Sequence, residues 1–143
     1  MTTRYSSLVS VKKNIMQNAE RVVQSANLVL KNATQALEDS YNGLALIETP
    51  TSGKITEFLS TRMLLDSQRV LIKHNEEWAS FAENELKASK EALKLTMIEY
   101  EKFKYLEFKE IEKENRKRKI KEAKDLDEIA LITHTRKDTT RVA

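Results

Sequence analysis

Apolar residues recur at every seventh position along both halves of the chain. In the second half the column is Phe58, Leu65, Ile72, Ala79, Leu86, Leu93 and Tyr100. In the first half it is Leu8, Ile15, Val22, Val29 and Ala36. A second column, four residues on, reads Lys12, Ala19, Ala26, Ala33 and Ser40. A seven-residue repeat held over several turns keeps one seam of a helix facing a partner helix, which is the pattern of a coiled coil. The repeat breaks at Glu48-Thr49-Pro50-Thr51-Ser52-Gly53. Pro50 and Gly53 are the strong punctuators, and neither residue type occurs after Gly53.

The pattern predicts a single coiled-coil domain over 1–143. The first helix covers about 8–45, the turn 46–53, the second helix about 54–133, and a flexible tail 134–143. Residues 1–7 read as frayed. Ser52 or Thr51 is expected to cap the second helix by accepting a hydrogen bond from its free N–H groups. A short connection makes two long helices antiparallel neighbours. The fold class is therefore all-α: an antiparallel two-helix coiled-coil hairpin whose longer second helix overhangs the first. Matching the two columns sets the expected register. Gly43 faces Phe58, Ala36 faces Leu65, Val29 faces Ile72 and Leu8 faces Leu93, all pairs whose numbers add to 101.

In that register the second helix continues for some 40 residues past the end of the first. Isolated helices are marginal in water, because most helix stability comes from packing an apolar face. The overhang carries Tyr100, Phe103, Leu106 and Ile111, which predicts a partner covering that face, either another copy or a different protein. Near the turn, Tyr41, Leu44, Phe58, Leu59, Met63 and Leu64 offer more apolar surface than one seam buries, so the hairpin tip also reads as a docking site.

Charged residues make up 33% of the chain, with only 2 Gly and 1 Pro, a composition of long helices. Residues 99–128 hold ten acidic and ten basic side chains. Glu112 with Arg116 and Glu114 with Arg118 stand at i,i+4 in the favourable order for helix pairs. The run Arg116-Lys117-Arg118-Lys119-Ile120-Lys121-Glu122-Ala123-Lys124 has six basic residues and one acid. Its charges project around the whole helix, so three readings stand: a solvated surface, contact with an acidic protein, or contact with nucleic acid or an acidic lipid face. A net charge of +3 does not by itself indicate nucleic acid. No run of 18 apolar residues spans a membrane, and the start of the chain lacks the pattern of a signal peptide. With no Cys, disulfides and thiolate zinc sites are excluded.

Enzyme chemistry finds no support. There is no Cys nucleophile, no Gly-framed Ser and no acid pair in a pocket, so no catalytic residue, cofactor or metal is expected. Thr51-Ser52-Gly53-Lys54-Ile55-Thr56 resembles the end of a phosphate loop but lacks the upstream Gly and a preceding strand; a turn and cap is the better reading. His74 and Glu77 share a helix face but fall short of the three or four ligands a metal needs. His134 lies in the tail. Trp78, one position before Ala79, reads as packing across the seam, with a partner anchor as the other reading.

The opening Leu8-Val9-Ser10-Val11-Lys12, the break near residue 50, Trp78 on the second helix and the closing Lys121-Glu122-Ala123-Lys124-Asp125-Leu126-Asp127-Glu128-Ile129-Ala130 resemble the FliJ family. Members are soluble components of the bacterial flagellar type III export apparatus, and the likeness covers nearly the whole chain. It implies a hairpin similar to the central stalk of rotary ATPases, cytoplasmic and peripheral to the membrane-embedded apparatus. It implies three partners: a hexameric export ATPase, the export gate membrane protein and export chaperones. By resemblance the ATPase end is Leu8–Lys13 with about 110–128, giving Lys12, Lys13, Arg116, Arg118, Lys119 and Lys121 as binding residues. The gate surface is Tyr41, Phe58, Leu64 and Leu65 at the tip. The protein alone is then a monomer or weak dimer that meets membranes only through other proteins. The rivals are a structural homodimer joined through the overhang and a nucleic-acid-binding coiled coil using 116–124.

Overall fold

The structure is a computed structural model that describes residues 2–142. It contains two helices, α1 (Ser6–Ala45) and α2 (Ile55–Val142), packed against each other, with no strand among the described residues. The chain forms two compact units. A terminal unit comprises Met1–Lys13 and Glu99–Ala143, and a central unit comprises Asn14–Ile98.

In the central unit the seam of α2 follows the predicted column. Ile72 and Leu86 are buried, and Leu65, Ala79 and Leu93 are half-buried, whereas Phe58 is exposed. The alanine column of α1 also lies inside, with Ala33 and Ser40 buried and Ala19 and Ala26 half-buried. The large column of α1 does not. Ile15, Val22 and Val29 are exposed, and their place in the seam is taken by Met16, Val23, Leu30, Leu37 and Leu44, one residue further on.

The register differs correspondingly. Gln68 Nε2 donates to the Ser40 carbonyl at 2.7 Å, and Asn75 Nδ2 donates to the Ala36 carbonyl at 3.2 Å. Tyr41 Oη donates to Glu76 Oε1 at 2.5 Å. These pairs add to between 108 and 117 rather than 101, which overturns the expected pairing of Ala36 with Leu65 and Val29 with Ile72. The physical reason is polar. Gln68 and Asn75 occupy seam positions, and a buried amide must find an acceptor. The observed register gives each one a carbonyl on α1. Ser40 and Ser89 satisfy their hydroxyls on their own helix, at the carbonyls of Leu37 and Leu86. No buried side-chain polar atom among the described residues is left without a partner. Gly43 belongs to the same device. A Cβ there would stand 2.7 Å from Gln68 Nε2, so the glycine leaves the amide room to reach across.

The connection between the helices keeps its predicted place. Gly53 has φ +143°, a conformation that a residue with a Cβ rarely adopts. The capping expectation is corrected: neither Thr51 nor Ser52 makes a hydrogen bond. The Lys54 carbonyl accepts from the N–H groups of Glu57 and Phe58, and Glu57 places a negative charge in the first turn of α2, where the helix dipole favours it.

In the terminal unit, α1 starts at Ser6 instead of fraying to Leu8. Thr3 Oγ1 accepts from the Tyr5 N–H at 3.2 Å, and Ser6 Oγ accepts from the Thr3 N–H at 2.9 Å. This reciprocal cap satisfies helix-end donors. The same turn is tied to α2: Ser6 Oγ donates to Glu107 Oε1 at 3.2 Å, and Arg4 pairs with Glu110 at 3.7 Å. At its other end α2 runs on as helix through Thr133 to Val142, where a loose tail was expected.

The phase of α1 is testable. Val23→Asp buries a charge in the seam and is expected to lower stability by about 2 kcal/mol or more. Val22→Asp, at a residue 57% exposed, is expected to stay within about 0.5 kcal/mol of the parent. Urea unfolding of the two variants reads the difference; equal costs would return Val22 to the seam.

Candidate docking surfaces

The terminal unit carries the basic residues singled out for partner binding. Lys12 is largely engaged within the unit, its Nζ 3.7 Å from Glu99 and 5.5 Å from the centre of the Phe103 ring. A cation over an aromatic face in this way holds both groups in place. Lys13 is exposed. Arg116 pairs with Glu112 at 2.6 Å, as expected. Arg118 departs from the expected pairing with Glu114: it donates to Asn115 Oδ1 at 3.3 Å and lies 4.0 Å from Glu122. Lys119 and Lys121 are exposed, with no hydrogen-bonding or ionic partner within the unit.

Tyr100, Phe103, Leu106 and Ile111 do not form a bare face. All four are half-buried, because the first turns of α1 pack beside this part of α2, as the Ser6–Glu107 and Arg4–Glu110 contacts show. Tyr105 and Phe108 are the aromatic residues that remain open here, about 60% exposed each. The exposed stretch begins later. From Arg116 to Thr139 every residue of α2 is exposed, including Ile120, Leu126, Ile129, Leu131 and Ile132.

The central unit carries apolar surface. At the turn end, Tyr41, Phe58 and Leu64 are exposed, while Leu65 is half-buried in the seam. Ile55, Leu59 and Met63 add to the open apolar area. Trp78 is not seam packing as read from the sequence. It is 37% exposed and, with His74, Glu77 and Phe81, lines an open hollow of about 430 Å³ on the outside of α2. Sequence reasoning missed Phe81, although it stands three residues after Trp78 and so on the same helix face. No three His, Asp or Glu side chains converge in a metal-binding arrangement among the described residues. No helix among those residues is long and apolar enough to cross a membrane.

A family model described as the flagellar FliJ protein matches residues 1–139. The chain belongs to the FliJ family. Membership makes it a flagellar, export-related protein. No curated protein and no solved structure matches it.

Among the described residues of this FliJ chain, two titratable groups are displaced from their ordinary values, one in each unit. The Arg116 hydrogen bond, followed by the charge of Lys109, holds the Glu112 carboxyl below its usual 4.5. The hydrogen bond to Glu76 pushes the Tyr41 phenol above its usual 10.0, with desolvation and the Glu76 charge adding in the same direction. The Tyr41 bond exists while the phenol keeps its proton. Its contribution is therefore complete below the ordinary phenol value and is lost as pH rises through the raised one.

Among the four tyrosines, Tyr41→Phe is expected to remove a late-titrating phenol from an alkaline absorbance titration. Glu76→Gln is expected to move that phenol back toward its ordinary range. An unchanged profile in Glu76→Gln would show that the cross-helix bond does not form in solution.

Proposed function

We propose that this chain is a non-enzymatic coiled-coil stalk of the flagellar type III protein export apparatus. It binds the hexameric export ATPase through the terminal unit, contacts the export gate through the exposed tip of the central unit, and escorts export chaperones. It works in the cytoplasm and reaches the membrane-embedded apparatus through protein contacts. The observation that carries this reading, alongside family membership, is the stretch of α2 from Arg116 to Thr139, fully exposed and dense in both signs of charge.

A helix with no intramolecular cover is suited to insertion into a partner. Many weak, screened charge contacts hold it there without one deep lock, since each exposed ion pair contributes at most about 1 kcal/mol. On this reading Arg116, Arg118, Lys119 and Lys121 meet the ATPase, with Lys13 beside them and Lys12 held back by Glu99 and Phe103. Tyr41, Phe58 and Leu64 meet the gate, and Leu65 supports them from the seam.

Reversal of three charges tests the ATPase arm. The variant carrying Arg116→Glu, Arg118→Glu and Lys119→Glu is expected to bind the cognate flagellar export ATPase at least about tenfold more weakly, a change of about 1.4 kcal/mol. It is also expected to lose any stimulation of ATP hydrolysis that the parent chain provides. Affinity equal to the parent's would remove the 116–121 segment from the interface.

A further inference from the structure

The two lateral sides of the central unit differ in character. Tyr41 stands four residues past Leu37 in the seam column of α1, and Glu76 stands four past Ile72 in that of α2; the two side chains hydrogen-bond across the seam. Positions four past the columns therefore flank one side. That side is polar throughout: Glu20, Asn27 and Thr34 on α1, and Arg69, Glu83 and Lys90 on α2.

Positions one before the columns flank the opposite side. In an antiparallel pair, equivalent positions of the two helices line the same side of the seam. The large apolar residues there are Ile15, Val22 and Val29 on α1, and Leu64, Leu71 and Trp78 on α2, with Phe81 one turn on from Trp78; Glu85 holds the next place in the α2 column. All seven apolar residues are exposed, Phe81 to 63%, and the hollow on the outside of α2 opens beside Trp78. One side of a two-helix seam thus carries a heptad repeat on both helices that neither helix covers. Heptad apolar columns on two adjacent helices form the groove into which a third helix packs.

The charge along the groove selects the occupant. Glu85 stands in the α2 column itself, and Glu77 and Glu91 stand one residue before column positions 78 and 92; all three are exposed. The lysine nearest in sequence that does pair, Lys87, is turned to Glu83 on the polar side. On the α1 side Arg21 is held by Asn18.

We propose that this groove docks an amphipathic α-helix of another protein. That helix presents apolar residues at i, i+3, i+4 and i+7, with lysines or arginines along the flank that faces α2. This goes beyond the stalk reading, since the groove lies in the central unit, uses none of the residues assigned there to the ATPase, and meets those assigned to the gate only at Leu64.

Trp78, the sole tryptophan, reports on the groove directly. The probe is a synthetic 21-residue leucine–lysine amphipathic helix, and the control is its leucine–glutamate counterpart. The full chain is expected to bind the lysine peptide one to one, with Trp78 emission moving to shorter wavelength, and to ignore the glutamate peptide. The double variant Val22→Asp/Val29→Asp is expected to weaken binding at least tenfold, and Val22→Asn/Val29→Asn repeats the test without added charge; circular dichroism verifies that both remain helical. Glu77→Lys/Glu91→Lys is expected to exchange the preference in favour of the glutamate peptide.

Any of four results overturns the proposal. The first is no emission shift with the lysine peptide. The second is an equal shift with both peptides. The third is undiminished affinity in the valine variants. The fourth is an emission shift on raising the concentration of the chain alone, which would assign the groove to a second copy.

Discussion

Two side-chain amides decide how this protein is put together. Gln68 and Asn75 sit in the seam of α2 and reach carbonyl oxygens of α1, at Ser40 and Ala36. Around them small side chains, Ala33, Ser40, Ala79 and Ala82, alternate along the seam with Leu30, Leu37, Leu65 and Ile72. An amide stranded in such a seam costs on the order of 1–3 kcal/mol. Polar groups at seam positions commonly set register in coiled coils at some expense of stability, and this seam follows that logic. Once the amides have chosen, Val23 is inside and Val22 is outside, and the surfaces of both units follow.

Much of this could be read in the chain before its structure. The column of α2, the alanine column of α1, the place of the turn and the antiparallel pairing all follow from period and punctuation. The large column of α1 does not, because two adjacent columns are apolar. Leu8, Ile15, Val22 and Val29 stand four residues before the alanines' next turn, and Val9, Met16, Val23 and Leu30 stand three before it. Both spacings are allowed on a helical seam. A signal was present: the second column continues through Leu37 and Leu44, where the first falls to Ala36 and Gly43. The register error followed from choosing the wrong column, and it misplaced the end of α1 by about ten residues. Tyr100, Phe103, Leu106 and Ile111 therefore looked bare although α1 covers them. Thr3 and Ser6 looked frayed because a reciprocal cap is built from residues whose polarity alone reads as disorder.

The two units present contrasting chemistry to a partner. Past Asn115 the terminal unit offers a single helix whose charges are exposed and screened by salt, suited to contacts that form and release quickly. The central unit offers apolar side chains arranged by a heptad, whose binding strength depends on area removed from water and is insensitive to salt. A chain that meets several partners can keep them apart by this difference in physics as well as by position. The family assignment places this chemistry in flagellar export.

The thinness of the core has a thermal consequence. Ala33, Ile72, Ala82 and Leu86 are the buried apolar residues of the described chain, two of them alanines. Unfolding such a seam uncovers little apolar surface, and the polar groups it uncovers offset the hydration change of the rest. The heat capacity of unfolding is then low for the chain's length, and the curve of stability against temperature is correspondingly flat. A protein of this build gives up stability on warming without gaining much from the hydrophobic effect at its optimum, and it keeps its fold in the cold, where proteins with large apolar cores begin to lose theirs.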